Sequence, residues 1–148
     1  LGRLADPLLR HVPPASCGLD FGSGPGPTLS SLLEDQGHQV ALYDPFYAPH
    51  PDAFKTTYDF ITASEVVEHL RQPRLELERL WTLLRPAGWL GIMTKLALDV
   101  AAFSDWHYKN DLTHIVFFSV MTFEWLAEEW QASLEFADKD VILLQKPT

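Results

Sequence analysis

The sequence predicts a doubly wound α/β sheet, mostly parallel, with an antiparallel C-terminal strand and a shortening around the third strand. Three observations carry this expectation. First, the stretch Gly18-Leu19-Asp20-Phe21-Gly22-Ser23-Gly24-Pro25-Gly26-Pro27 joins an apolar run to a helical period that starts at Leu29, Leu32 and Leu33. Second, apolar strands then alternate with helical patterns, as they do in sheets built from βαβ units. Third, the chain closes with two short apolar runs joined by an acidic turn. A strand arriving through a tight turn must run antiparallel to its neighbour.

With 148 residues the chain has the size of one domain with one core. Apolar residues make up 47%, enough for a packed globule and against disorder. The longest apolar run falls well short of the roughly eighteen residues of a membrane span. Cys17 is the single cysteine, which excludes an internal disulfide and a cysteine cluster for zinc. A reducing cytoplasm is the expected compartment. Net charge is −9, with 20 acidic residues against 11 basic. Proteins that depend on phosphate contacts are normally basic, so nucleic acid is not the expected partner.

Taken in order, residues 1–15 read as a lead-in segment, with Leu4, Leu8 and Leu9 at helical spacing. Residues 16–148 read as a single domain. The first strand covers 17–21. A helix starts near Pro27, which has no N–H to satisfy in a first turn, and stops at Gly37, a natural C-terminal cap. The second strand covers 39–43. Residues 45–57 hold Pro45, Pro49 and Pro51 and leave room for neither a full crossover helix nor another strand. The next strand covers 58–63. Gln72-Pro73 opens a helix with Leu77, Leu80, Trp81 and Leu84 at i, i+3, i+4 and i+7, ending at Pro86-Ala87-Gly88. Another strand covers 89–94. Residues 95–114 form a long connection, and long connections in compact domains tend to be functional. Ser119 is the expected N-cap of a helix carrying Phe123, Leu126, Ala127 and Trp130. Strands at 134–136 and 141–145 complete the chain.

The glycine turn is a candidate site. Glycine lets the backbone adopt φ > 0 and approach a ligand closely. The helix that follows presents free N–H groups and its positive end. The dinucleotide fingerprint G-x-G-x-x-G would need a third glycine where Pro27 stands. Asp44 ends the second strand, 18 residues beyond Gly26. An acid there grips ribose hydroxyls in such folds. Gly22, Asp44, Ser64 and Lys95 all lie just past strand ends, which share one edge of a parallel sheet. The cofactor candidates are therefore Asp20, Gly22, Ser23, Gly24, Gly26, Asp44, Pro45 and Ser64. Glu65, Glu68 and His69 stand at i, i+3 and i+4, and share one face if the segment is helical. Trp106, His107 and Tyr108 either floor an acceptor pocket or anchor a loop, and His107 counts among the catalytic candidates.

The pattern D-x-G-x-G-x-G from Asp20 to Gly26 resembles the first motif of the class I S-adenosylmethionine-dependent methyltransferases. Leu83-Leu84-Arg85-Pro86-Ala87-Gly88-Trp89-Leu90 resembles their L-L-(K/R)-P-G-G-x-L turn. Glu65-Val66-Val67-Glu68-His69 is similar to the E-x-x-E-H stretch of two of their groups, the ubiquinone-pathway O-methyltransferases and the small-RNA 3′-end 2′-O-methyltransferases. The resemblance covers about residues 16–146. It implies a Rossmann-like fold, S-adenosyl-L-methionine as cofactor, and Asp20 near the cofactor's amino-acid end. In both E-x-x-E-H groups the acids and histidine are implicated in holding a divalent metal. The resemblance thus implies Mg²⁺ or Mn²⁺ at Glu65, Glu68 and His69, with His114 as a further ligand. Two other readings stay open: Glu65 and His69 as metal-free acid/base or positioning groups, or a structural role.

A methyltransferase acting on a small-molecule acceptor, through oxygen first, is the expected function. A non-catalytic cofactor-binding module is the first competitor, motivated by the shortened 45–57 segment. A dinucleotide-dependent oxidoreductase is the second, and the missing glycine at Pro27 opposes it. An RNA 2′-O-methyltransferase is the third, and the acidic charge speaks against it.

Overall fold

The computed structural model describes residues 2–26, 28–97 and 118–148. Among these, six strands form one sheet: β1 (Cys17–Phe21), β2 (Gln39–Tyr43), β3 (Tyr58–Ser64), β4 (Leu84–Met93), β7 (Ser133–Asp138) and β8 (Val141–Gln145). Their order is β2-β1-β3-β4-β8-β7. The first four are parallel, and β8 enters antiparallel between β4 and β7. This is the mostly parallel sheet with antiparallel C-terminal strands that the sequence predicts.

Both faces of the sheet are covered, which is why its central strands are almost continuously apolar. In β8 the side chains alternate between two cores. Val141 and Leu143 pack with α1 (Gly2–Leu9) and α2 (Thr28–Asp35), through Leu4, Leu8, Leu29 and Leu33. Ile142 and Leu144 pack with α3 (Pro73–Leu83) and α4 (Val120–Trp130), through Leu77, Leu80, Phe123 and Leu126. Burying each such leucine is worth about 1.5–3 kcal/mol, so two covered faces dominate the stability of the fold. Ser119 caps α4 by accepting from the Thr122 N–H, and the Thr122 hydroxyl accepts from the Ser119 N–H in return.

Three local features differ from the sequence expectation or refine it. The helix read as ending at Pro86-Ala87-Gly88 stops at Leu83, and Leu84 already pairs with Tyr58. Residues 85–88 bulge out before Trp89 pairs with Phe60, with Ala87 at φ 65°. The C-terminal residues hold this bulge: Lys146 Nζ donates to the Trp81 and Leu84 carbonyls at 2.9 and 3.0 Å, and its N–H donates to the Gly88 carbonyl. Over residues 45–57 the chain makes only an Asp44–Ala48 bridge and a 3₁₀ turn, Pro51–Lys55. The turn leaves β2 at the sheet edge and lays Phe54 against Tyr43, ring centroids 4.5 Å apart. One aromatic ring thus covers sheet that a crossover helix would otherwise cover. Finally, β5 (Leu96–Ala97) and β6 (Phe118–Ser119) pair in parallel as a separate two-stranded ladder.

Candidate functional site

The register brings the ends of β1, β2 and β3 together: Asp20 lies opposite both Leu42 and Thr62. The loops that follow these strands therefore share one edge. After Phe21 the chain turns sharply, with Gly22 at φ 78° and Gly24 at φ 71°. A Cβ on Gly22 would come within 2.5 Å of Val66 Cγ2, so both the backbone and the space demand glycine. The turn is tied to β2, since the Gly22 and Ser23 amides donate to the Tyr43 carbonyl at 2.7 and 3.1 Å.

Asp44 is the hub of this edge. Its Oδ2 accepts from the Gly24 N–H at 2.9 Å, and its Oδ1 accepts from the Phe46 and Tyr47 N–H groups at 2.8 and 3.1 Å. Burial pushes its pKa up, but the three amide donors outweigh burial and hold the carboxyl below its usual range. Asp44 is thereby a fixed anion beside a glycine turn, with one lone pair of Oδ2 still unshared. Asp20 is different. It is buried within β1, accepts from the Thr62 hydroxyl at 3.0 Å, and has its pKa pushed up to about 6. Burial is the main cause and the Asp44 charge adds to it, while the Thr62 hydrogen bond works against it.

A cavity of about 650 Å³ opens at this edge, a size suited to a nucleoside-sized ligand. Gly22, Asp44, Pro45 and His69 line it, all named from the sequence. Its apolar surface comes from Phe21 and Tyr43, whose rings stack at 5.7 Å, and from Val66 and Leu70. Gln72, Glu76 and Arg79 of α3 line the remaining side. Sequence reasoning missed these three. The available signal was their i, i+4, i+7 spacing, which places them along the flank of the apolar stripe of Leu77, Leu80 and Trp81. In the same glycine turn, Ser23 Oγ is buried without a hydrogen-bond partner. Buried hydroxyls are rarely left so, and an orphan in a glycine turn suits a polar ligand. The site therefore fits a nucleoside cofactor: a concave cavity with apolar lining, and a fixed anion at a strand end.

The remaining candidates are distributed unevenly. Gly26 is exposed, with open space around it. Ser64 ends β3, half-buried and paired with Met93. Glu65, Glu68 and His69 do not share a helical face, which corrects the helical reading of that segment. Glu65 turns the chain out of β3 at φ 55°, and its N–H donates to the Met93 carbonyl at 2.7 Å. Only Val67–His69 form a 3₁₀ turn. Glu65 is exposed, whereas Glu68 is turned inward and accepts from the buried Thr94 hydroxyl at 3.0 Å. His69 is exposed at the cavity, its Nε2 3.9 Å from Glu68 Oε1. Among the described residues no three His, Cys, Asp or Glu side chains come together as metal ligands. His107 and His114 lie outside the described residues. Among the described residues, no helix is long and apolar enough to cross a membrane.

A family model described as a methyltransferase domain matches residues 2–134. No curated protein matches the sequence. Several solved structures share the fold. The Burkholderia thailandensis 1,6-didemethyltoxoflavin-N1-methyltransferase, solved with 1,6-didemethyltoxoflavin and S-adenosylhomocysteine, is 17% identical with a TM-score of 0.68, over 98% of this chain and 77% of its own. Human N-acetylserotonin methyltransferase in complex with SAM is 16% identical with a TM-score of 0.64, over 99% and 51%. An O-methyltransferase family protein from Burkholderia thailandensis is 14% identical with a TM-score of 0.63, over 100% and 53%.

Proposed function

The chain belongs to the methyltransferase domain family, and on that premise we propose that it transfers a methyl group from S-adenosylmethionine to a hydroxyl of a small-molecule acceptor. The observation that carries this reading is the meeting of the glycine turn and Asp44 at the mouth of the cavity. Similar folds have been solved with S-adenosylhomocysteine and SAM, which supports the choice of cofactor.

When bound, the cofactor supplies an electrophilic methyl group on a sulfonium, ready for in-line displacement. The protein's part is placement. Asp44 offers the remaining lone pair of Oδ2 to a ribose hydroxyl, and its amide bonds keep it ionised for that purpose. Ser23 and the glycine turn face the polar amino-acid end, with Asp20 supporting the turn from within β1. Ser64 and Glu65 follow β3 on the acceptor side. There Glu65 or His69 takes the proton that the acceptor hydroxyl gives up as its oxygen bonds to carbon. Glu68 is committed to Thr94. Among the described residues its carboxylate and those of its neighbours do not converge as a donor set for Mg²⁺ or Mn²⁺. The net charge of −9 supports a small acceptor over RNA. The single cysteine supports a reducing, cytoplasmic setting.

The test uses S-adenosylmethionine carrying a labelled methyl group, with a panel of phenols, alcohols and amines. Label on an oxygen acceptor, lost in Gly24→Arg, is the expected result. Label confined to amines would overturn the oxygen assignment, and no transfer to any acceptor would favour a binding module.

A further inference from the structure

Residues 45–57 add no further strand, so β2 stands at one edge of the sheet and β7 at the other. An edge strand carries a row of backbone N–H and C=O groups with no ladder to join, and folded chains guard such rows against pairing with another chain. The two edges are guarded differently. β7 shifts register between Phe136 and Asp138, and its acids Glu135 and Asp138 are engaged by His11 and Arg3. A bulge and charged side chains both discourage a further strand. β2 has neither. Its five residues, Gln39-Val40-Ala41-Leu42-Tyr43, include no charge and no proline, and they pair with β1 without a register shift.

The bonds at its two ends fix which groups face outward. The Gln39 N–H donates to the Ser16 carbonyl and the Tyr43 carbonyl accepts from the Gly22 N–H, so residues 39, 41 and 43 face β1. Asp44 faces the other way, and its N–H and C=O both bond to Ala48 at 3.0 Å. Val40 and Leu42 share the direction of Asp44, and among the described residues no backbone group bonds to them on that side. The Asp44–Ala48 bridge is antiparallel, so the open edge already takes an antiparallel neighbour at its end. The turn within that bridge holds Phe46 and Tyr47, 85% and 61% exposed. Two adjacent aromatics so exposed supply apolar surface for an association.

A second copy of the chain fits this edge. Antiparallel pairing about a two-fold axis sets a strand against itself, so the outward donors and acceptors of each copy meet their complements. Two chains of net charge −9 repel each other, and an uncharged strand is a place where that repulsion is small. The same axis lays the end of one β2 beside the start of the other, which brings the Phe46–Tyr47 turn of each copy against its partner.

We propose that the open edge of β2 is a homodimer interface, in which Val40 and Leu42 exchange N–H···O=C bonds with the same residues of a second copy to form one continuous sheet, with Phe46 and Tyr47 packed at either end.

The experiment is sedimentation velocity of the full chain from about 1 to about 100 μM, with amide hydrogen exchange followed at both ends of the series. The mass should rise towards twice that of one chain. The Val40 and Leu42 amides should exchange about tenfold or more slowly at the higher concentration, while the Ala41 amide, which faces β1, changes little. Leu42→Pro removes one outward N–H and leaves the β1 ladder whole, a change that edge strands tolerate, and it should keep the chain monomeric throughout. Phe46→Ser/Tyr47→Ser lies on an exposed turn and should weaken dimerisation about tenfold or more, which supplies the comparison if Leu42→Pro does not fold. A monomer at every concentration would overturn the proposal. So would a dimer that the folded variants leave intact, or one whose Val40 and Leu42 amides exchange as they do on dilution, since its interface would lie elsewhere.

Discussion

The backbone N–H of Gly24 donates to Oδ2 of Asp44 at 2.9 Å, across twenty residues of chain. The bond joins the turn after β1 to the end of β2 and gives the two halves of the site one geometry. Asp44→Ala removes the acceptor of this bond and of two others, from Phe46 and Tyr47. Losing hydrogen bonds to a charged acceptor costs about 1.5–3 kcal/mol each at the upper limit, partly recovered by water at this edge. The expected outcome is a stability loss of about 2 kcal/mol in urea denaturation, with cofactor affinity reduced about 30-fold or more. Asp44→Asn keeps one acceptor oxygen and should fall between.

Gly22 and Gly24 both have positive φ, but they differ in space. Gly22→Ala meets Val66 as well as the backbone penalty, whereas a Cβ at Gly24 meets nothing within 4 Å. Gly24→Ala should cost about 1 kcal/mol and Gly22→Ala about 2–4 kcal/mol. Adding Val66→Ala to Gly22→Ala should recover part of the larger loss, read as a shift in the denaturation midpoint.

Asp20 makes stability depend on pH with an unusual sign for an acid. Its folded pKa of about 6 lies above the ordinary 3.8. Between these values the folded chain holds a proton that the unfolded chain has lost. Stability from this group is therefore fully present below pH 3.8 and falls as pH rises through about 6. The total change is roughly 2–3 kcal/mol. Asp20→Asn keeps an acceptor for Thr62 and should flatten this part of the profile, measured by denaturation at closely spaced pH values. A slope unchanged by the substitution would contradict the burial of Asp20.

Glu68 accepts from Thr94, a residue only 1% exposed. Glu68→Ala leaves that hydroxyl without its partner and should lower stability by about 1–3 kcal/mol in metal-free buffer. The thermal midpoint of the wild type should not respond to Mg²⁺ or Mn²⁺ through this residue. A variant as stable as wild type, together with a metal-dependent midpoint seen only in the wild type, would restore Glu68 as a ligand.

Much of this architecture is legible in the residues because the signals are local. Ser119 caps its helix through a bond to Thr122 three residues on, and Gly37, at φ 94°, ends α2 as the sequence predicts. The strand spans follow from apolar runs bounded by glycine, proline or acid. The Glu65–His69 segment misleads because its spacing fits a helix, while its conformation is set from outside. The Met93 carbonyl on the neighbouring strand takes the Glu65 N–H, and Val66 must tuck under Gly22. Both partners are distant in sequence. The polar stripe Gln72, Glu76 and Arg79 looks like any solvated helix face. It lines the cavity only because the fold brings α3 beside the ends of β1 and β2.

The central claim is that the cavity at the ends of β1 and β2 holds S-adenosylmethionine. Titration of the protein with S-adenosylhomocysteine tests it most directly, with NAD as the control. The account predicts one site per chain, lost in Gly24→Arg and weakened about 30-fold in Asp44→Ala, with no comparable heat from NAD. Tighter binding of NAD, or S-adenosylhomocysteine binding that neither substitution affects, would contradict it.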